Sequence, residues 1–312
     1  MAAYILRRLW QMVPTLAGVV LLIFLLFNLF GGDPAQILAG QVASQEQIDA
    51  IRRELGLDQP WYAQLWIFVR EIVTFDWGKS WMTREQVSSI FLTRLPATLT
   101  ITIPILLLEA ALAIPTAMLV AYYRGTLLDR TVVAICVAAM SVSFLVYIIV
   151  GQYVFGFQLG WFPVQGWSDS FWKNLVTYAP LPIVLAALVG LAPQTRLYRS
   201  FFLDETKSDY VRTARAKGLS EPAILRKHVL RNALVPVVTN ISLLVPGVFV
   251  GSFLLEIFFS IPGLGREIFL AVNRSDYPVI QAVTIYVSVL TMLINLAADV
   301  LYTFVDPRIE LR

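Results

Sequence analysis

The chain has 312 residues, 58% of them hydrophobic and only 14% charged, with a mean hydropathy of +0.71. A soluble domain runs at roughly 45–50% apolar and about 25% charged, so a soluble globular fold, a disordered chain and a disulfide scaffold are excluded. One cysteine (Cys136), one histidine (His228) and a formal net charge of +3 leave no intrachain disulfide and no multi-histidine metal site.

A helix needs roughly 20 apolar residues to cross about 30 Å of hydrocarbon. Six stretches qualify, near residues 9–30, 98–123, 131–155, 178–195, 235–255 and 279–304. The first follows Arg7 and Arg8; its apolar run exceeds a secretory h-region and no A-x-A-like site comes after it, so it reads as a retained span. Residues 31–97 form the largest piece outside the membrane. They open on the turn signal Gly31-Gly32-Asp33-Pro34. An amphipathic helix from Ser44 to Leu55 follows, with Ile48, Ile51 and Leu55 on one face. Trp61, Tyr62, Trp66, Trp77 and Trp81 then mark a piece at the membrane interface, a cap that also suits docking of an external protein.

The second span holds Glu109, the one ionisable residue near mid-membrane, together with Pro104 and Pro115. An intramembrane carboxylate is a functional-site hypothesis by default. The uncharged run Thr131–Ser168 is too long for one crossing and is expected to hold a helix of about 25 residues plus part of a loop. Cys136 lies inside it as an inert packing residue. Pro180, Pro182 and Pro193 mark the short fourth span and Pro246 the fifth. Such breaks survive in lipid only where neighbours satisfy the freed carbonyls, which argues for a packed bundle.

An even number of spans puts both termini on one side, and basic residues decide which. Arg7, Arg8, Arg124, Arg130, Arg308 and Arg312 share their side with nine Lys and Arg in residues 196–231. The short loops opposite carry only Lys173, Arg266 and Arg274. Both termini are therefore expected in the cytoplasm. The loop 196–233 is the sharpest local pattern. Asp209–Lys217 reads as a helix stopped by Gly218; Ser220 caps a second helix with Pro222 in its first turn, running to about Asn232. Ile224, Leu225, Val229 and Leu230 give it an apolar face while Arg226, Lys227 and Arg231 point elsewhere, so the pair makes a rigid basic knob.

Two glycine patterns are decoys. Gly78-Lys79-Ser80 ends like a phosphate-cradling loop but Val73 stands where the first glycine belongs, and Gly263-Leu264-Gly265 lacks the third glycine of a dinucleotide loop. The latter reads as a turn between the fifth and sixth spans. A nucleic-acid-reading role for the basic knob is rejected, since the knob is too small to fold alone, and His228 reads as a packing or hydrogen-bonding residue rather than a base.

The segment Asp209–Val238, DYVRTARAKGLSEPAILRKHVLRNALVPVV, resembles the cytoplasmic loop of permease subunits of binding-protein-dependent ABC importers, in the dipeptide, oligopeptide and nickel branch. The family's EAA-x3-G pattern falls on Arg212-Thr213-Ala214 and Gly218, of which Ala214 and Gly218 keep the letters. Tyr4-Ile5-Leu6-Arg7-Arg8-Leu9, Gly32-Asp33-Pro34, Leu55-Gly56-Leu57-Asp58, Phe75-Asp76-Trp77-Gly78-Lys79-Ser80, Ser260-Ile261-Pro262-Gly263-Leu264-Gly265, Asp276-Tyr277-Pro278 and Asp306-Pro307-Arg308-Ile309 resemble the same branch, so the likeness covers nearly the whole chain.

The resemblance implies an all-α integral membrane protein of six transmembrane helices with the type I ABC importer permease fold. Residues 1–95 would be an N-terminal helix plus external segment, and residues 96–312 the transmembrane core with its coupling loop. It implies a non-catalytic subunit of the bacterial cytoplasmic (inner) membrane, bathed in membrane lipid, that translocates peptides by alternating access. The partners would be a second homologous permease subunit, two ABC ATPase subunits that bind ATP and Mg, and an external, periplasmic substrate-binding protein. No nucleic acid and no cofactor or metal in this chain is expected. Arg212, Thr213, Ala214, Ala216 and Gly218 would meet the ATPase, and Glu109 is a candidate for the translocation path. The alternatives are nickel or another small solute carried by the same branch, or, in another class, a proton-coupled secondary transporter working through Glu109.

Overall fold

The computed structural model describes residues 2–30, 32–39 and 43–305; there the regular elements are helices, with one isolated antiparallel bridge between Lys79 and Gln86. Gly31 of the expected turn, Arg308 and Arg312 of the charge asymmetry, and the Asp306-Pro307-Arg308-Ile309 segment lie outside the described residues.

In chain order, α1 (Ala2–Phe30) is followed by the short helices α2 (Pro34–Ala39), α3 (Gln45–Glu54) and α4 (Trp61–Thr74). Next come α5 (Val87–Tyr122), α6 (Leu127–Met140) and α7 (Phe144–Gly151), the last prolonged by a π-helical turn to Gln158. The one-turn α8 (Phe171–Lys173) and a second π turn lead to α9 (Pro180–Thr206). Then α10 (Asp209–Ala216) precedes α11 (Glu221–Ile224), which runs through the π turn Leu225–Val229 into α12 (Leu230–Val250). The chain ends in α13 (Phe253–Phe258), α14 (Leu264–Asn273) and α15 (Tyr277–Val305).

Five helical stretches, beginning at Ile5, Val87, Pro180, Glu221 and Tyr277, are long and apolar enough to cross a membrane, and the pair α6 and α7 makes a sixth if taken as one span. The expected straight third span is not found: α6 and α7 meet at 89°. The break falls at Ser141-Val142-Ser143, where Ser143 turns extended (φ −62°, ψ 140°) and ends the helical path. Ser141 Oγ donates back to Val137 O at 2.9 Å, and Tyr147 Oη donates to the Ala139 carbonyl at 3.0 Å. Both carbonyls also keep a backbone donor, Ser141 N at 3.2 Å and Val142 N at 3.3 Å, so the side chains reinforce the end of α6.

Before α5, the helix expected from Ser44 begins at Gln45, with Ser44 as its reciprocal cap: Gln47 N donates to Ser44 Oγ at 3.4 Å and Ser44 N donates to Gln47 Oε1 at 3.0 Å. Arg52 ties α3 to Asp33 and to Asp49. Trp61, Tyr62 and Trp66 stand exposed on α4, as rings at a lipid–water boundary do. Trp77 instead packs edge-on against Phe91, and Trp81 lies tilted against Tyr277.

The end of the bundle that carries residues 251–276 is held by two enclosed carboxylates. Asp276 accepts from Ser80 Oγ at 2.5 Å and Trp81 N at 3.0 Å. This joins the 77–81 loop to the start of α15. Glu256, fully buried, accepts from Thr98 Oγ at 2.9 Å and Arg266 N at 2.7 Å, while Leu264 N donates to Thr98 Oγ at 2.7 Å. The carboxylate therefore caps α14 and pins it to α5. Glycines make the room: a Cβ on Gly251 would lie 2.3 Å from Glu256 Oε1, and one on Gly263 2.4 Å from its Cδ. Both decoy loops thus wrap a carboxylate of the chain itself. Removing Glu256 strands the Thr98 hydroxyl and the Arg266 amide, at about 1–3 kcal/mol for each buried group. Glu256→Ala should lower the thermal midpoint in detergent clearly, and Glu256→Gln, which keeps one acceptor, should lower it less.

Candidate functional site

The joint between α9 and α12 is built from short-range rules. Ser208 is extended (φ −67°, ψ 151°) and starts α10. Val211 and Ala214, one helical turn apart, face inward and are buried with Tyr198 and Phe202 of α9, Ala117 and Ala121 of α5, and Ile224, Leu225 and Val229. The helix ends as expected at Gly218, whose φ of +80° suits glycine. There Gly218 N donates to Arg215 O at 2.9 Å and Leu219 N to Ala214 O at 3.3 Å, the paired pattern of a left-handed helix stop. Space does not demand glycine here, because nothing lies within 4 Å of where a Cβ would be.

Across that turn Arg215 forks onto Glu221, Nε to Oε1 at 2.5 Å and Nη2 to Oε2 at 3.1 Å. The pair is exposed, so it contributes about 1 kcal/mol or less to stability, but two parallel bonds fix the angle between α10 and α11. Glu221 holds the Arg215 guanidinium above its ordinary pKa. Burial, and then the Glu205 acceptor, push the Tyr210 phenol up, so it remains a donor to Glu205. A second fork lies nearby: Arg199 Nε and Nη2 each reach a carboxylate oxygen of buried Asp129 at 2.8 Å, and Gly125 N donates to the same group at 2.8 Å. That clamps α9 to the start of α6.

The structure divides the five knob residues picked out in the sequence. Arg212, Thr213, Ala216 and Gly218 lie exposed on the side away from the bundle. Ala214 does not join them: at 5% exposure it is part of the inward seam with Val211. The second knob helix also differs from expectation. It does not stop near Asn232 but passes through the π turn into α12, so knob and span form one rod.

Glu109 stands near the middle of α5, half-buried against Gly190 of α9. Among the described residues it makes no hydrogen bond or ion pair. No group of three His, Cys, Asp or Glu side chains among them is arranged to hold a metal. Three structural carboxylates carry little signal in the sequence: Asp129 and Glu256 flank apolar runs as isolated acids, and Asp276 stands only within the family-like stretch Asp276-Tyr277-Pro278. For Glu256 the signal available was the glycine-rich stretch 260–265, which implies something that needs backbone amides.

Comparison with known proteins decides the family. Residues 113–311 match the "Binding-protein-dependent transport system inner membrane component" family, and residues 1–102 match its N-terminal companion. The chain belongs to the permease family of binding-protein-dependent ABC importers. It is a multi-pass inner-membrane transport component, not an enzyme and not a secondary transporter. It is 37% identical over 311 residues to the glutathione transport system permease protein GsiC of Escherichia coli strain K12, covering 99% of both chains. To the GsiC protein of Salmonella choleraesuis strain SC-B67 it is 36% identical over 310 residues, again with 99% of each covered.

The inward seam generates a contrast between neighbours. Ala214→Leu overfills a packed site and should cost about 1–3 kcal/mol, read as a lower thermal midpoint and faster tryptic cleavage at Lys217. Ala216→Leu, on the exposed side, should leave both unchanged.

Proposed function

We propose that this permease translocates peptides, and that α10 is the coupling helix through which a separate ATPase drives it. The observation that carries the reading is the two-sidedness of the knob. Its inner face is locked by Val211 and Ala214 to α5 and α9, and its outer face offers Arg212, Thr213 and Ala216 beside a fixed Gly218 turn. Force on such a face reaches α9 through the Ser208 joint and α12 through the continuous rod. Ala214 then acts as the anchor of the coupling helix, and the other four residues form its contact.

In this reading the knob, both termini and the basic loops are cytoplasmic. Residues 1–95 supply an added helix and the external segment, and 96–312 the translocating core. A second permease subunit completes the pathway, two ATPase subunits bind ATP and Mg, and a periplasmic binding protein delivers cargo to the opposite end. Peptide cargo is supported by the sequence branch and by the relatives named for glutathione, itself a tripeptide.

The test is ATP-driven uptake by the chain assembled with the subunits that co-purify with it. Arg212→Glu and Gly218→Asp should reduce uptake at least about tenfold, the loss expected where a charge-assisted contact of about 1.5–3 kcal/mol is removed, with basal ATP hydrolysis retained. Normal uptake by both variants, or concentration of peptide by the chain alone without nucleotide, discards the coupling role.

A further inference from the structure

The seam between α5 and α9 has a register legible in single residues. Ala113, Ala117 and Ala121 recur every fourth position on α5, Tyr198 and Phe202 do so on α9, and all five share one buried cluster. Small side chains on α5 thus receive large ones from α9. Further back along the same two rows the sizes invert. Glu109 is on α5 and Gly190 on α9, and a methyl group on Gly190 would stand 1.8 Å from Glu109 Oε1 and 2.3 Å from its Cδ. The glycine is the space the carboxylate occupies.

Between Gly190 and Tyr198 on the α9 row lies Gln194. Its Oε1 is buried without a hydrogen-bond partner, as is the hydroxyl of the adjacent Thr195, a residue only 2% exposed. The next side chain along is served: Tyr198 Oη donates to Asn240 Oδ1 at 3.2 Å. Glu109 makes no bond of its own among the described residues, yet is only half-buried, so it remains reachable. The Glu109 carboxylate, the Gln194 amide oxygen and the Thr195 hydroxyl thus follow one another along this seam, each without a hydrogen bond among the described residues. Polar groups left so are costly unless paired, by several kcal/mol for a charge in the membrane interior.

What such a place takes follows from the inventory of donors. It repels an anion and offers a metal ion too few ligands. A protonated primary amine brings one positive charge and three N–H donors, which a carboxylate and one or two neutral oxygens satisfy. We propose that Glu109, with Gln194, binds the amino-terminal ammonium group of the peptide as it crosses the bundle. This rests on the peptide reading above. Gly190 is a positioning residue that leaves the carboxylate its room. Two acceptors rather than a full cage make a station that releases as well as binds, as passage requires.

The experiment is infrared difference spectroscopy on the importer assembled with its partner subunits, using Glu109→Gln as the spectral blank. Four probes are compared: ethylammonium, a dipeptide with a free amino terminus, the same dipeptide N-acetylated, and sodium chloride. The carboxyl band missing from Glu109→Gln should move with the first two and not with the others. Gln194→Ala, which leaves Glu109 in place, should need about tenfold more ethylammonium for the same shift. Glu109→Gln should slow ATP-driven dipeptide uptake about tenfold in kcat with an unchanged thermal midpoint. A band that moves with ethylammonium in an importer that takes up no peptide discards the peptide cargo and keeps the amine site. A band unmoved by either amine, or moved by sodium alone, overturns the site even where peptide uptake is normal.

Discussion

A carboxylate withdrawn from water must be met by donors, and this bundle is organised around where it meets that demand. Asp129, Glu256 and Asp276 are each nearly or fully buried, and each receives at least one backbone N–H together with a side-chain donor. Each joins elements far apart in sequence: α6 to α9, α14 to α5, and the 77–81 loop to α15. In a medium where apolar contacts between helices compete with equally apolar lipid tails, such bonds supply direction that packing alone does not. Leaving one unmade is costly, so the partner elements stay together. The glycines at 251 and 263 follow from the same demand, since only a residue without a side chain leaves space for Glu256.

The two ends of the bundle use this differently. At the 251–276 end the carboxylates tie the short helices α13 and α14 and the 77–81 loop down, which makes a firm platform. At the knob end, Asp129 and Arg199 hold α9 against α6, while the knob sits on an apolar seam of Val211, Ala214, Ile224 and Leu225. An apolar seam slides more readily than a forked ion pair breaks, because its attraction is non-directional. A push on α10 is therefore expected to travel along α9 and α12 before it disturbs the Asp129 clamp. The π turn at 225–229 lies in the rod at the point where such a push would bend it, and widened turns of this kind recur where helices must adapt.

Most of the architecture was open to reading from the sequence because membrane crossing imposes a crude, strong rule on length and polarity. Five of the six span positions and the Gly218 stop follow from local chemistry, and the structure has them, whereas Gly263-Leu264-Gly265, expected as a turn, instead opens α14. The reading failed where the outcome depends on distant residues. Nothing in Thr131–Ser168 marks an 89° bend, since it is reinforced by Tyr147 reaching a carbonyl eight residues back. Ala214 was grouped with its neighbours in a motif, although its spacing of three from Val211 already placed it on the apolar face. Glu256 was passed over because an acid beside an apolar run looks like a loop residue until Thr98, 158 positions away, is seen beside it.

Glu109 departs from the pattern the other acids obey, and the departure is informative because its surroundings are so specific. Were it a mere packing accident, the helix opposite would present an ordinary side chain and the acid would turn toward water or a donor. Instead Gly190 gives it a fitted recess, and Gln194, one turn further along α9, buries an amide oxygen without a hydrogen-bond partner. The bundle gives Asp129, Glu256 and Asp276 their donors and leaves Glu109 without a hydrogen bond among the described residues, open to a donor from outside. In an importer the group that arrives from outside, binds and departs is the cargo, and a protonated amine brings the charge and the donors that such a carboxylate would meet.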